Sequence, residues 1–137
     1  MEPPRRPRVL IVDAEPQVVQ CLRRLVRRHF EVETATTPEE ALAKLVSFDP
    51  HAVIAEQRLM RMSGRELLRR VRSQRPDTLR VMMSGWCDPS ETWGRDRTAN
   101  RYLAKPFETE DLLTAIHELL AERARETADA VGAPRSA

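Results

Sequence analysis

At 137 residues, with 41% apolar and 32% charged side chains, the chain has room for one domain and one core, and its composition excludes a disordered protein. No apolar run approaches bilayer-spanning length, and residues 1–7 lack the apolar stretch of a secretory signal and read as a disordered leader. Two cysteines, Cys21 and Cys87, are too few for a disulfide framework, so a reduced cytoplasmic setting is expected, and a net charge of +2 is too small to argue for nucleic acid.

Short aliphatic runs alternate with longer segments of helical period. Arg8 to Val12 is a continuous apolar run, the pattern of a strand buried on both faces. Pro16 to His29 reads as a helix, with Pro16 in its first turn, Val18, Leu22, Leu25 and Val26 inward, and arginines outward. Phe30 to Thr34 alternates as a second strand. Thr37 then caps a second helix whose first turn is Pro38-Glu39-Glu40 and whose stripe is Ala41, Leu42, Leu45 and Val46.

The unit recurs as a strand over His51 to Ala55 and a helix over Ser63 to Gln74, with Leu67, Leu68 and Val71 inward. Leu79 to Met83 is a fourth strand and Arg101 to Ala104 a fifth. Between them, Asp88 to Asn100 is polar and broken by Pro89 and Gly94, so a short or distorted fourth helix is expected. A last helix runs from Glu110 to Arg125, with Leu112, Leu113, Ile116, Leu119 and Leu120 inward. The reading is an α/β domain over residues 8–125, a doubly wound parallel sheet, followed by a disordered tail over 126–137.

Open parallel sheets bind ligands beyond the carboxyl ends of their strands. Here those ends carry Asp13, Ala14 and Glu15, then Glu56, then Ser84 and Gly85, then Lys105 and Pro106. Carboxylates of this kind suit a divalent cation, and Lys105 with Ser84 suits an anion. Lys105 also stands out by choice of residue, because the chain has 21 Arg and only two Lys. A compact ammonium serves a narrow site where a guanidinium would not fit. Lys44 reads as an ordinary exposed helix position.

The runs Val9 to Pro16, Asp49 to Gly64, Val81 to Trp86 and Tyr102 to Phe107 together resemble the response-regulator receiver family, and the resemblance covers Arg8 to Glu122. It implies a flavodoxin-like, five-stranded sheet in the order 2-1-3-4-5. It also implies a site in which an Asp ending the third strand accepts a phosphoryl group from a histidine kinase, with Mg²⁺ held beside it. The lysine and the Ser or Thr hydroxyl then bind the phosphoryl oxygens and an aromatic switch residue turns inward, altering a face that partners read. Ser84, Tyr102, Lys105 and the turn residue Gly64 match this pattern. The phosphoacceptor position holds Glu56, and the second member of the acidic pair is Ala14, leaving Asp13 with Glu15 beyond it.

Glu places its carboxylate about 1.3–1.5 Å farther out than Asp, and near-attack shifts of about 1 Å cost on the order of 100-fold. Loss of a carboxylate at Ala14 removes a metal ligand, so Mg²⁺ binding through Asp13 and Glu56 is expected to be weak or absent and no cofactor is assigned. The longer Glu56 side chain is aimed at Lys105 and Ser84, where it would imitate part of a phosphoryl group. The leading expectation is a pseudo-receiver with no enzymatic activity, acting through protein–protein contacts.

Alternatives remain at this level. The pair Glu56–Lys105 could be the remnant of a decayed site, Asp13 and Glu15 could be solvated loop caps, and Lys105 could be tied to a cis bond before Pro106. A phosphorylatable receiver is the second functional reading. A nucleic-acid binder is the weakest, since Arg and Glu are interleaved without a recognition motif. The arginine-rich first and third helices read as solvated faces, with an acidic partner as the alternative. The expected partner surface is the fifth strand with its flanking helices, around Trp93 and Tyr102, and homodimer formation is left open. Trp86 and Trp93 flank the distorted region. His29 and His51 are isolated and carry no assignment.

Overall fold

The computed structural model describes residues 5–85 and 98–132. Five parallel strands, β1 (Arg8–Val12), β2 (Glu31–Ala35), β3 (Ala52–Glu56), β4 (Leu79–Ser84) and β5 (Arg101–Ala104), form one sheet in the order β2-β1-β3-β4-β5. The crossovers include α1 (Pro16–Val26), α2 (Pro38–Ser47) and α3 (Gly64–Gln74), and α4 (Thr109–Gly132) follows β5. This is the fold class and strand order expected from the sequence. The short or distorted helix expected between Asp88 and Asn100 falls largely on residues 86–97, which include Trp86, Cys87 and Trp93 and lie outside the described residues.

Two cores flank the sheet. Val9, Ile11, Ile54, Val81 and Met83 point toward α1 and α4, meeting Val19, Leu22, Val26, Phe30, Leu112 and Ile116. Leu10, Val12, Val53, Ala55 and Met82 point toward α2 and α3, meeting Leu45, Leu67, Leu68 and Val71. Alternation along each strand sends neighbours to opposite faces, and both faces are covered by helices. That accounts for strands that read as unbroken apolar runs.

The boundaries differ from the sequence reading in ways that follow from packing. Helix α1 stops at Val26, because Phe30 enters the core and the chain must turn back first, with His29 and Phe30 both donating to the Val26 carbonyl. Its inward row is Val19, Leu22 and Val26, while Leu25 is 43% exposed. Leu25 lies about 60° round the helix from Leu22, on the side away from Val19 and Val26. In α2, Ala41 and Leu45 take the inward row and Val46 faces solvent for the same reason.

Strands β3 and β4 each extend one residue past their expected ends, taking in Glu56 and Ser84. The last helix does not stop at Arg125 but runs to Gly132. Nothing between those residues breaks a helix, and Ala128 and Ala130 favour one. At the other end, Arg6 and Pro7 are tied down: Arg6 donates to the Arg27 carbonyl and Pro7 accepts from Glu31 N–H. Both Thr37 and Ser63 cap their helices, accepting from Glu40 N–H and Glu66 N–H at 3.1 Å each.

Candidate functional site

The carboxyl ends of β1, β3, β4 and β5 converge because parallel pairing brings all of them to one edge of the sheet. Asp13 follows β1 directly and is anchored through its N–H to the Ala35 carbonyl at 3.2 Å. Its Oδ1 accepts the Glu15 N–H at 3.0 Å, a local turn that holds the carboxylate over the sheet edge. Glu56, the last residue of β3, is followed by Gln57, whose N–H donates to the Met83 carbonyl at 2.9 Å. Lys105 N–H donates to the Ser84 carbonyl at 2.8 Å, and a cis peptide bond joins Lys105 to Pro106.

Gly64 clamps the loop behind Glu56. Its N–H donates to the Gln57 carbonyl at 2.9 Å, and a Cβ built on it would lie 2.1 Å from the Glu56 carbonyl oxygen. Only glycine permits that approach of one backbone to another. The loop from Gln57 to Ser63 is thereby pressed onto the end of β3.

The side chains meet around the ammonium. Lys105 Nζ lies 2.6 Å from Glu56 Oε2 and 3.3 Å from Asp13 Oδ2. The Glu56 contact is an ion pair, off-axis for an aligned hydrogen bond. Asp13 and Glu56 are only 3% and 7% exposed, so two nearly buried carboxylates share one partly exposed cation. Burial by itself would lower the Lys105 pKa. The Glu56 contact and the charges of Asp13 and Glu56 outweigh it and hold the ammonium above its ordinary value.

Of the other residues expected at the site, Ser84 is buried at the end of β4, while Glu15 faces solvent. Tyr102 is half-buried and packs against the core between the sheet, α2 and α3. Above the ion pair is a cavity of about 250 Å³, walled by Asp13, Ala14, Glu56, Arg58, Gly85 and Lys105, among others. Arg58, at its rim, was missed in the sequence. Its place two residues beyond a strand end was a usable signal, hidden by the abundance of arginine.

The donor set can be tested against a divalent cation. Asp13 Oδ1 is engaged by Glu15 N–H, Asp13 Oδ2 and Glu56 Oε2 both face Lys105, and Ala14 presents a methyl group. Among the described residues no three carboxylate, imidazole or thiol groups come together as a metal-holding set.

Comparison with known proteins places this arrangement. Residues 9–117 match the family model for the response regulator receiver domain. The chain belongs to the response-regulator receiver family. Receivers are signalling modules, and this one is 36% identical over 115 residues to response regulator MprA of Mycolicibacterium vanbaalenii, covering 82% of this chain and 50% of that protein. It is 30% identical over 112 residues to the hydrogenase transcriptional regulatory protein HoxA of Bradyrhizobium diazoefficiens, covering 80% of this chain and 23% of that protein. The receiver thus spans half or less of the length of these relatives. Among solved structures, a CheY-like receiver domain protein from Methanospirillum hungatei JF-1 superposes with a TM-score of 0.82 at 29% identity, covering 88% of this chain and 98% of that one. No helix among the described residues is long and apolar enough to cross a membrane.

Proposed function

We propose that this receiver acts without phosphoryl transfer, signalling in the cytoplasm through protein–protein contact, with Glu56 at the position of the family's phosphoaccepting aspartate. The observation that carries this reading is the 2.6 Å approach of Lys105 to Glu56. The ammonium that would bind a phosphoryl oxygen is already paired with carboxylates of the chain itself. An incoming phosphoryl group would have to displace them, and its attack geometry would start from a carboxylate set more than 1 Å out of place.

The oxygen donors support the same reading. Mg²⁺ demands about six oxygens in near-octahedral array, and Asp13 and Glu56 are both turned to Lys105 while Ala14 offers none. We read the site as unsuited to Mg²⁺, and no catalytic role is assigned to any residue. Phosphoryl transfer draws nearly all its rate from metal and positioning, and both are compromised here. Glu56 supplies one negative charge where a phosphoryl group supplies up to about two, so its imitation of the phosphorylated state is partial. Ser84, buried at the end of β4, and Tyr102, packed against the core, belong to that active-like arrangement. The partner meets the face of β5 and α4 around Tyr102, and the same face is open to homodimer formation; Trp93, expected on this surface from the sequence, lies outside the described residues.

A second reading, a phosphorylatable response regulator served by a histidine kinase, is favoured by the relatives and by the retention of Asp13, Ser84 and Lys105. Intact-mass measurement after incubation with Mg²⁺ and a small acyl phosphate separates the two. The chain as it stands is expected to gain no phosphoryl mass, whereas a Glu56→Asp, Ala14→Asp variant gains one. An adduct on the unaltered chain would overturn the proposal.

A further inference from the structure

A second concentration of charge lies at the opposite end of α1 from the carboxylate pocket. Helix α1 begins just after the Asp13 turn, and its 11 residues carry the chain about 16 Å away. There Arg23, Arg27 and Arg28 line a shallow depression of about 690 Å³, whose remaining wall includes Glu31, Glu33 and Phe48. Arg6 joins them from the amino-terminal side, its Nη1 donating to the Arg27 carbonyl at 2.6 Å.

Most arginines elsewhere among the described residues are ion-paired, Arg58, Arg72 and Arg125 being among the exceptions. On α3, Arg69 and Arg70 lie 3.7 Å from Glu66 carboxylate oxygens; Arg75 is paired with Asp49 and Arg101 with Glu118. Arg6, Arg23, Arg27 and Arg28 take part in no ion pair among the described residues. With the neighbouring Arg5 and Arg24 they set six positive charges against Glu31 and Glu33, a net +4 in a chain whose net charge is +2, so the remainder is net −2. The helix dipole favours Arg23 and Arg24 in the last turn of α1. It does not explain Arg6, drawn in from another segment, or the repulsion between Arg23 and Arg27 one turn apart.

We propose that this corner is a docking surface for an acidic, carboxylate-bearing segment of a partner protein. Guanidinium groups bind carboxylates in bidentate fashion, and four of them around one depression can take two or more at once. A protein segment fits better than a nucleic acid. Glu31 and Glu33 interrupt the basic wall, Glu33 being held by Lys44 at 3.3 Å, and a peptide can set neutral residues opposite them. A duplex carries a charge about every 1.7 Å and cannot. Beyond the corner it would also meet the acidic remainder of the molecule.

The surface is independent of the pocket reading and is tested separately. A fluorescein-labelled 12-residue peptide of alternating Glu and Ser is titrated with the full chain at low salt, followed by fluorescence anisotropy. The expected result is saturable binding that weakens at least tenfold in Arg23→Gln, Arg27→Gln, Arg28→Gln and is unchanged in Arg69→Gln, Arg70→Gln, with both variants folded by circular dichroism. Equal affinity in the α1 variant, an equal loss in the α3 variant, or tighter binding of a DNA duplex of matched charge would each overturn the proposal.

Discussion

Replacing Lys105 by Met keeps most of the side chain's length and removes its charge. Asp13 and Glu56 would then face each other across the pocket, nearly buried and without a cation. Breaking a buried ion pair by removing one partner costs about 3–5 kcal/mol. Two features here reduce that figure: the Lys105 side chain is 31% exposed, and Asp13 retains its bond from Glu15 N–H. A loss of about 2 kcal/mol at pH 7 is therefore expected, lowering the melting temperature by roughly 5–12 °C for a domain of this size.

The pH dependence has a definite sign. The fold raises the Lys105 pKa, so the pair's contribution is fully present below the ordinary lysine value of about 10.4 and is lost as pH rises through the folded value. Urea unfolding of the parent chain, Lys105→Met, Glu56→Gln and the double variant should give a coupling energy above about 1 kcal/mol at pH 7 that shrinks beyond about pH 10.5. Additive single losses, or a Lys105→Met penalty below about 0.5 kcal/mol, would refute the reasoning that the ammonium is held by these two carboxylates.

Three further outcomes are expected. Gly64→Ala forces a Cβ against the Glu56 backbone carbonyl and should cost about 2–3 kcal/mol in thermal or urea unfolding, because backbone cannot yield as a side chain can. Arg80 is buried in β4 with its side chain donating to the Thr98 and Thr78 carbonyls at 2.7 and 2.9 Å, and its N–H donating to Asn100 Oδ1 at 2.7 Å. Arg80→Met leaves those carbonyls unpaired, should destabilise by about 2–3 kcal/mol, and should speed hydrogen exchange at Asn100 N–H, which donates to the Arg80 carbonyl. His51 accepts the Arg8 N–H through Nδ1 at 3.0 Å, and burial followed by the Arg8 charge lowers its pKa. Its contribution is present above the ordinary value of about 6.5 and is lost as pH falls through the folded value. His51→Gln, which keeps an acceptor, should flatten the decline in stability between about pH 7 and pH 5.

Much of this protein was legible in its residue order. Continuous aliphatic runs bounded by helical periods require a parallel sheet covered on both faces, since no other arrangement buries such strands. The residues ending those strands had to meet at one edge, so Asp13, Glu56, Ser84 and Lys105 could be named as neighbours without coordinates. Local pattern could not say where each helix would rest on the sheet. Leu25 and Val46 sit at the margin of their apolar stripes, and only the packed sheet decides that Val19 and Leu45 go inward while they stay in solvent. Nor could spacing show that Arg6 crosses to the end of α1, or that Gly64 lies against the Glu56 carbonyl. Those contacts join distant segments, and their distances are set by the tertiary fold. The same holds for the ion pairing of the pocket: the sequence named an ammonium and several carboxylates, and the fold decided that two of them share it.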